Sequence, residues 1–240
     1  MLDEFERVRS VSLSGRRVLD LAAGTGTVSI EAARRGAAVI GVDLTDELLD
    51  VARRRADEAE VEVHFVVGDI DRLDDVIEGD SFDVITSAFG LMFAPDALAT
   101  LSSLRARLVP DGVVAVSAWD PDGSLMVPAS MIELFPEVPP MLDMSTWSTR
   151  VAELADAAGF EVASTVVDDL RIPFESVDHA AEQLERWAGG WTQLLERFDE
   201  LGVGAEARRR FRDHLAAFST PAANGLVLCA YHHVSVLCPA

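Results

Sequence analysis

Apolar residues in this chain follow two alternating patterns: short uncharged runs, and longer stretches in which apolar positions recur every three or four residues. The first pattern reads as buried strand and the second as amphipathic helix. Residues 17–22, 27–36 and 37–43 therefore predict strand one, a helix and strand two. Thr45 is placed to cap a second helix, where Asp46 and Glu47 suit the positive end of the dipole and Leu48, Ala52 and Ala56 share one face up to about Ala59. Residues 61–67 predict strand three and 81–88 strand four. Pro95 then opens a helix whose stripe is Leu98, Leu101, Leu104 and Leu108, and Pro110, Asp111 and Gly112 turn the chain into strand five at 113–119.

Five strands joined by helical crossovers make an open parallel sheet, in which ligands bind beyond the carboxyl ends of the strands. The candidate residues fall at those ends: Asp20 and Gly24 after strand one, Asp43 after two, Asp69 after three, Ser87 to Phe93 after four, Trp119 and Asp120 after five. Between strands one and two, the chain runs through a glycine turn and a helix of some ten residues, then ends its second apolar run in an acid, the layout of a nucleotide-binding unit. Gly24 and Gly26 can take backbone angles closed to other residues and let a ligand approach the main chain. Asp43, about 20 residues after the turn, can accept hydrogen bonds from both hydroxyls of an adenosine ribose. Position 29 is Ser, so the pyrophosphate-binding GxGxxG pattern fails from Gly24 onward.

Composition bounds the reading. With 240 residues and 49% hydrophobic content, the chain can bury a full core. A formal charge of -21 argues against a nucleic-acid partner, whose binding needs clustered cations. All 20 basic residues are arginines, and the runs Arg53-Arg54-Arg55 and Arg208-Arg209-Arg210 are too short to make a phosphate track. The longest uncharged apolar stretches, such as Gly112 to Trp119, fall well short of the roughly 18 residues of a membrane span, and the acidic N-terminal residues do not read as a secretory signal, so a cytoplasmic protein is expected. Cys229 and Cys238 would sit about 30 Å apart along one strand, beyond disulfide reach.

The pattern Asp20-x-Ala22-x-Gly24-x-Gly26 resembles motif I of the class I S-adenosylmethionine (SAM) dependent methyltransferases, whose usual form has glycine where Ala22 stands. Alanine there asks for a less unusual backbone. Gly68-Asp69 resembles the motif after strand three, where the acid meets the adenine amino group and the next side chain, here Ile70, packs on the ring. The segment from Ser81 to Phe93 is similar to the corresponding region of the small-molecule methyltransferases called type 11 or UbiE-like; Ala157-Ala158-Gly159-Phe160-Glu161-Val162 resembles their entry to strand six. The stretch Arg171 to Ser176, two helices, and residues 226–237 resemble the ending of one branch of that group.

The resemblance implies a single α/β domain with a Rossmann-like, seven-stranded, mostly parallel sheet, strand seven antiparallel beside strand five, and helices on both faces. Its cofactor-binding half would be 1–120 and its substrate half 146–240, with a helical cap at about 176–218 between strands six and seven. It implies SAM as cofactor and S-adenosylhomocysteine as product, held by Asp20, Ala22, Gly24, Thr25, Gly26, Asp43, Leu44, Asp69, Ile70, Ser87, Ala88 and Phe89. Phe89, Met92, Phe93, Trp119 and Met126 are the expected substrate contacts. Relatives usually carry a further helix before strand one that closes over the cofactor; with some 16 residues there, the site is expected to be more open or covered by another element.

The segment 121–145 carries Pro121, Pro128, Pro136, Pro139 and Pro140 together with Met126, Met131, Leu134, Phe135, Met141 and Met144, and is expected to form part of a substrate wall. The cap would comprise 176–200, with Val177, Ala181, Leu184, Ala188, Trp191, Leu195 and Phe198 at helical spacing and a kink at Gly189-Gly190, and a second helix at 205–218. The plainer reading is a helical hairpin on the sheet edge with no ligand contact. Trp119 could stack on a planar substrate or simply pack, and Trp147 and Trp187 receive no assignment.

Methyl transfer by in-line displacement needs geometry more than acid or base, so no catalytic residue is assigned. The histidines read more simply as structural: His64 lies in strand three away from the ligand end, His179 and His214 on cap helices, and His232 and His233 on opposite faces of strand seven. No spacing suggests a metal site. The expected activity is transfer of a methyl group to an O, N or C atom of a small, largely apolar molecule. The alternatives are a SAM-binding protein of the same fold with different chemistry, and a non-catalytic binding protein.

Overall fold

The computed structural model describes residues 1–77, 79, 81–120, 123–135, 149–187 and 189–240. In chain order the elements are α1 (Leu2–Arg9), β1 (Arg17–Leu21), α2 (Thr27–Arg34), β2 (Ala38–Asp43), α3 (Asp46–Glu58), β3 (His64–Val67), β4 (Phe82–Ala88), α4 (Ala97–Arg105), β5 (Leu108–Trp119) and α5 (Ala129–Ile132). They continue with α6 (Val151–Ala157), β6 (Phe160–Phe174), α7 (Val177–Trp187), α8 (Gly189–Glu200), α9 (Gly204–Ala217), β7 (Ser219–Ala222) and β8 (Gly225–Pro239). Short 3-10 turns follow β3 and β4, at Ile70–Asp75 and Leu91–Phe93. The strand order is β3-β2-β1-β4-β5-β8-β6, with β7 paired to β8. This is a Rossmann-like, mostly parallel sheet.

The chain divides into two compact units: Met1–Ala118, Ser145–Val166 and His233–Ala240 form the first; Trp119–Met144 and Val167–His232 form the second. In the first, β1 pairs in parallel with β2 and β4, placing Asp20 beside Gly41 on one side and Thr86 on the other. Parallel pairing of β2 with β3 sets Asp43 level with Val67. That register brings the ends of strands one to four to a common edge. Val18, Leu19, Leu21, Val42, Val84 and Ile85 are fully buried, as expected for parallel strands covered on both faces.

Several boundaries differ from the sequence pattern. Leu49, not Leu48, faces the core with Ala52 and Ala56, and Leu48 is exposed; the two leucines are adjacent, so periodicity alone chose the wrong one. Val61 is spent on closing α3 through its N–H to the Ala56 carbonyl, which shortens β3 to four residues. Leu108 belongs to β5 and not to the preceding helix. Pro110, Asp111 and Gly112 are an irregularity within that strand: pairing with β4 steps from Phe82↔Leu108 to Val84↔Val113, since proline cannot donate to the ladder. The sheet has eight strands instead of seven, because 219–222 folds back antiparallel on β8. The last strand nevertheless lies beside β5, as expected. Cys229 and Cys238, both on it, are free thiols.

Helix α1 is an addition to the predicted elements. Leu2 and Phe5 are buried in the first unit's core, Asp3 and Glu4 occupy the first turn, and Arg35 reaches back to Asp3 and Glu6. Burying one such aromatic contributes roughly 1.5–3 kcal/mol, enough to fix a helix of eight residues that would be marginal alone.

In the second unit the segment predicted as two helical runs is three helices, α7, α8 and α9. Their common core contains Ala180, Ala181, Trp191, Leu195, Phe198, Phe211 and Leu215, with the Trp191 and Phe211 rings stacked at 4.0 Å. Met131 and Phe135 belong to this core, the Phe135 and Phe198 rings lying 4.5 Å apart, so these two residues of the oily segment are enclosed by protein. Pro121, Pro136, Pro139, Pro140, Met141, Met144, Trp147 and Ala188 lie outside the described residues. Among the described residues no helix is long and apolar enough to cross a membrane.

Candidate functional site

The loop after β1 is shaped by left-handed backbone. Gly24 and Gly26 have φ of 54° and 79°, and Ala22, where the usual pattern has glycine, has φ 53°. The expectation of a less unusual backbone at Ala22 is thus corrected: alanine adopts the left-handed conformation that favours glycine, at a cost of about 1–2 kcal/mol. Gly26 is required for a second reason. A Cβ there would lie 2.9 Å from the Ala52 Cβ and 3.0 Å from the Phe65 ring, so the loop is pressed against α3 and β3. A Cβ on Gly24 would meet nothing within 4 Å. The loop is therefore packed at Gly26 and open at Gly24.

Asp43 holds this loop. Its Oδ2 accepts the Gly24 N–H at 2.7 Å and its Oδ1 accepts the Thr45 N–H at 2.9 Å. The Asp43 main chain also serves, its carbonyl accepting the Gly68 N–H at 2.9 Å. One residue thus ties the glycine turn, the start of α3 and the end of β3. An ionised carboxylate has about four acceptor positions, so two remain on Asp43 after both backbone bonds. Leu44 and Val67 next to it are exposed, 71% and 43%, an unusual state for apolar residues at the edge of a buried sheet. Asp69 is exposed and its Oδ1 accepts the Asp71 N–H, while Ile70 is half-buried.

Asp20 behaves differently. It is 1% exposed, with Ser29 Oγ donating to Oδ2 at 2.6 Å and Thr86 Oγ1 to Oδ1 at 2.9 Å. Burial pushes its carboxyl up to about 6, against the two hydroxyls, which favour the ionised form. Asp20 therefore acts on the loop from within, linking β1 to α2 and β4. Ser29, the residue that breaks the dinucleotide pattern, is the one that reaches it.

The end of β4 carries the second strained point. Phe89 has φ 63°, and its N–H donates to the Ser117 carbonyl. Ser87 is fully buried: its hydroxyl donates to the Leu21 carbonyl at 3.0 Å and accepts the Leu91 N–H at 3.1 Å. Two left-handed non-glycine residues, Ala22 and Phe89, thus terminate neighbouring strands, and such strain concentrates at functional sites. Gly90, absent from the predicted set, is what makes room. A Cβ there would lie 2.3 Å from the Ala22 Cβ and 2.9 Å from Ser87 Oγ. Ala88 and Phe89 are half-buried, Met92 is 6% exposed, and Phe93 is 58% exposed.

Ala22, Gly24, Thr25 and Gly26 thus lie on the loop after β1, Asp43 and Leu44 at the end of β2 with Asp43 bonded to the loop, and Asp20 and Ser87 are buried in the strands behind it. Trp119 and Met126 belong to the second unit, where Trp119 meets the His232 ring edge-on at 6.1 Å and Met126 is buried. In the same unit His179 Nδ1 accepts the Glu175 N–H, and His214 Nε2 lies 3.1 Å from the Ser124 carbonyl. His64 is exposed at the first residue of β3, the end away from Asp43.

A family model described as "Methyltransferase domain" matches residues 18–112, the stretch that contains this loop, Asp43, Asp69 and the exit from β4. The chain is also 39% identical over 109 residues to an uncharacterized protein of Mycobacterium tuberculosis, covering 45% of this chain and 39% of that one. A ubiquinone biosynthesis O-methyltransferase of Actinobacillus pleuropneumoniae is 35% identical over 117 residues, 48% of this chain and 50% of that protein. The chain thus spans about two-fifths to half the length of these relatives. Over nearly its whole length the fold matches a SAM-dependent methyltransferase of Geobacter sulfurreducens, solved with S-adenosylhomocysteine (TM-score 0.58, 18% identity, 100% of this chain and 90% of that one). The YjhP protein of E. coli is similar in fold (TM-score 0.60, 20% identity, 100% and 91%).

Two outcomes follow for the domain's stability. A carboxyl raised from 3.8 to about 6 keeps its proton in the folded chain after the unfolded chain has released it. Its contribution to stability therefore falls as pH rises from about 4 to about 6, by on the order of 2–3 kcal/mol, and is flat above. Asp20→Asn removes that slope, so urea midpoints of wild type and variant, followed from pH 4 to 7.5, diverge through this window and run parallel beyond it. Ala22→Gly relieves the left-handed alanine and raises stability by about 0.5–1 kcal/mol in the same measurement; an unchanged or lower midpoint contradicts the strain.

Proposed function

We propose that this protein is a SAM-dependent methyltransferase whose acceptor is a small, largely apolar molecule. The observation that carries the proposal is the pairing of Asp43 with an open glycine turn at the carboxyl end of a parallel sheet. The two acceptor positions left on Asp43 suit the two hydroxyls of a ribose, the space beside Gly24 admits a chain close to the backbone, and Leu44 and Ile70 offer apolar faces for a purine. The methyltransferase-domain match over 18–112 and the cofactor named with the Geobacter structure support the choice of adenosine ligand.

SAM, when bound, supplies a sulfonium-activated methyl group open to displacement by a nucleophile in line with the carbon–sulfur bond. The protein's task is then to hold that line. Aligning two reactants supplies much of such a barrier, on the order of 7–11 kcal/mol in favourable cases, without a general base. An ionised phenol or carboxylate brings its own nucleophile, which fits a site where the buried carboxylate, Asp20, is closed off behind Ser29 and Thr86. Exposed Phe93 and half-buried Phe89 are suited to an apolar acceptor. Nothing in this reading calls for a metal or a nucleic-acid partner.

Titration calorimetry with S-adenosylhomocysteine, followed by incubation with SAM and a panel of apolar phenols and carboxylic acids, tests it. The expected results are saturable binding and a product heavier by one methylene. Asp43→Ala weakens cofactor binding by about tenfold or more, through loss of charge-assisted hydrogen bonds. Asp43→Asn, which keeps one acceptor for the loop, weakens it less. An unchanged dissociation constant in Asp43→Ala removes the ribose assignment.

A further inference from the structure

Asp43 holds the glycine turn by an amide N–H; the next residue is held by the opposite charge. Arg55, near the end of α3, places one guanidinium nitrogen, Nη1, 2.7 Å from the Thr25 carbonyl oxygen, 2.8 Å from Thr25 Oγ1 and 3.2 Å from Thr27 Oγ1. That nitrogen carries two hydrogens, so the two short contacts to Thr25 are full bonds and the Thr27 contact shares one of them. We propose that Arg55 is a positioning residue for the cofactor turn, clamping Thr25 from α3 while Asp43 clamps Gly24 from β2.

The turn needs such a clamp for reasons visible in its geometry. Gly24 has left-handed backbone and, beyond its own chain neighbours, nothing within 4 Å of its Cβ position, so tertiary packing does not restrain it. The turn's main-chain ties include Ala23 N–H to the Val42 carbonyl, Gly26 N–H to the Ala23 carbonyl and Ile30 N–H to the Gly26 carbonyl, while the Thr25 carbonyl is held by Arg55. Both clamps come from one continuous piece of chain, β2 followed by α3, and α3 is itself fixed by Leu49, Ala52 and Ala56 in the core. A carboxylate on a donor and a guanidinium on an acceptor, on successive residues, orient that stretch of backbone in one sense only. A ligand that recruits the free positions of Asp43 can draw Gly24 with it; Arg55 keeps Thr25 in place when that happens. The arginine run thereby acquires a role for its third member, with Arg53 engaged instead by Asp46 and Asp50.

The part of this inference that concerns ligand affinity rests on the proposed SAM site, and the test separates the two. Amide hydrogen exchange on the ligand-free protein is compared for wild type, Arg55→Met, which keeps the stem without donors, and Arg55→Lys, which restores a donor. The expectation is that Arg55→Met accelerates exchange at Gly24 and Gly26 by about three- to tenfold, that Arg55→Lys recovers most of the protection, and that the thermal midpoint barely moves, because the side chain is exposed. Calorimetry with S-adenosylhomocysteine then shows a dissociation constant weaker by a similar factor in Arg55→Met alone. If exchange and affinity in Arg55→Met both match wild type, or if Lys fails to rescue, the clamp is overturned. If wild type itself does not bind S-adenosylhomocysteine, the proposed function falls while the exchange comparison still decides the role of Arg55.

Discussion

One carboxylate organises the ligand end of the first unit. Asp43 is placed by strand pairing on both sides, with β1 and β3 in parallel register, and from there its two oxygens accept backbone N–H groups from the glycine turn and from the start of α3. Such charge-assisted bonds are about twice as strong as neutral ones and directional enough to set the path of a turn. Because the sheet fixes the carboxylate, the carboxylate can fix the turn. The close fit of Gly26 against Ala52 and Phe65 then holds the far side of the loop by steric exclusion.

Two carboxylates near one another serve opposite ends because their surroundings differ. Asp43 sits at the lip with acceptor capacity to spare, while Asp20 is sealed under two hydroxyls in an apolar layer and favours keeping its proton longer than an exposed acid does. Replacement of Ser29 by the small residue of a dinucleotide fingerprint would leave one Asp20 oxygen without its hydroxyl. The departure from that fingerprint and the state of Asp20 are therefore one structural fact, which ties the choice of ligand class to the interior of the domain.

The strands, their order of appearance, the glycine turn and Asp43 were legible in the sequence because each rests on short-range rules: continuous apolar runs, glycine where φ is positive, an acid at a strand end. What was not legible depends on contacts between distant residues. Leu48 and Leu49 are equivalent to a periodicity argument until the neighbouring layer selects one. Leu108 fits a helical stripe and was claimed by a strand because β4 offered it a partner. Helix α1 carries Leu2 and Phe5 at helical spacing, but eight residues give too little periodicity to stand out. Within the site, the grip of Arg55 on Thr25 spans 30 positions, and a run of three arginines on an acidic background carries no sign of which one reaches the glycine turn. The strain at Ala22 was hidden for a different reason, since alanine rarely enters left-handed backbone without something to hold it there.

The crowding between positions 22 and 90 has a consequence for how chains of this kind can diverge. The ends of β1 and β4 together have room for one methyl group, and here it sits on the first of them. A chain with alanine at 22 is committed to glycine at 90. The reverse arrangement is reached only through an intermediate with glycine at both, and even then it must displace the Ser87 hydroxyl that joins the two strand ends. The occupancy of that small space is thus a heritable constraint linking two loops far apart in the chain, and a side chain at either position calls for glycine at the other.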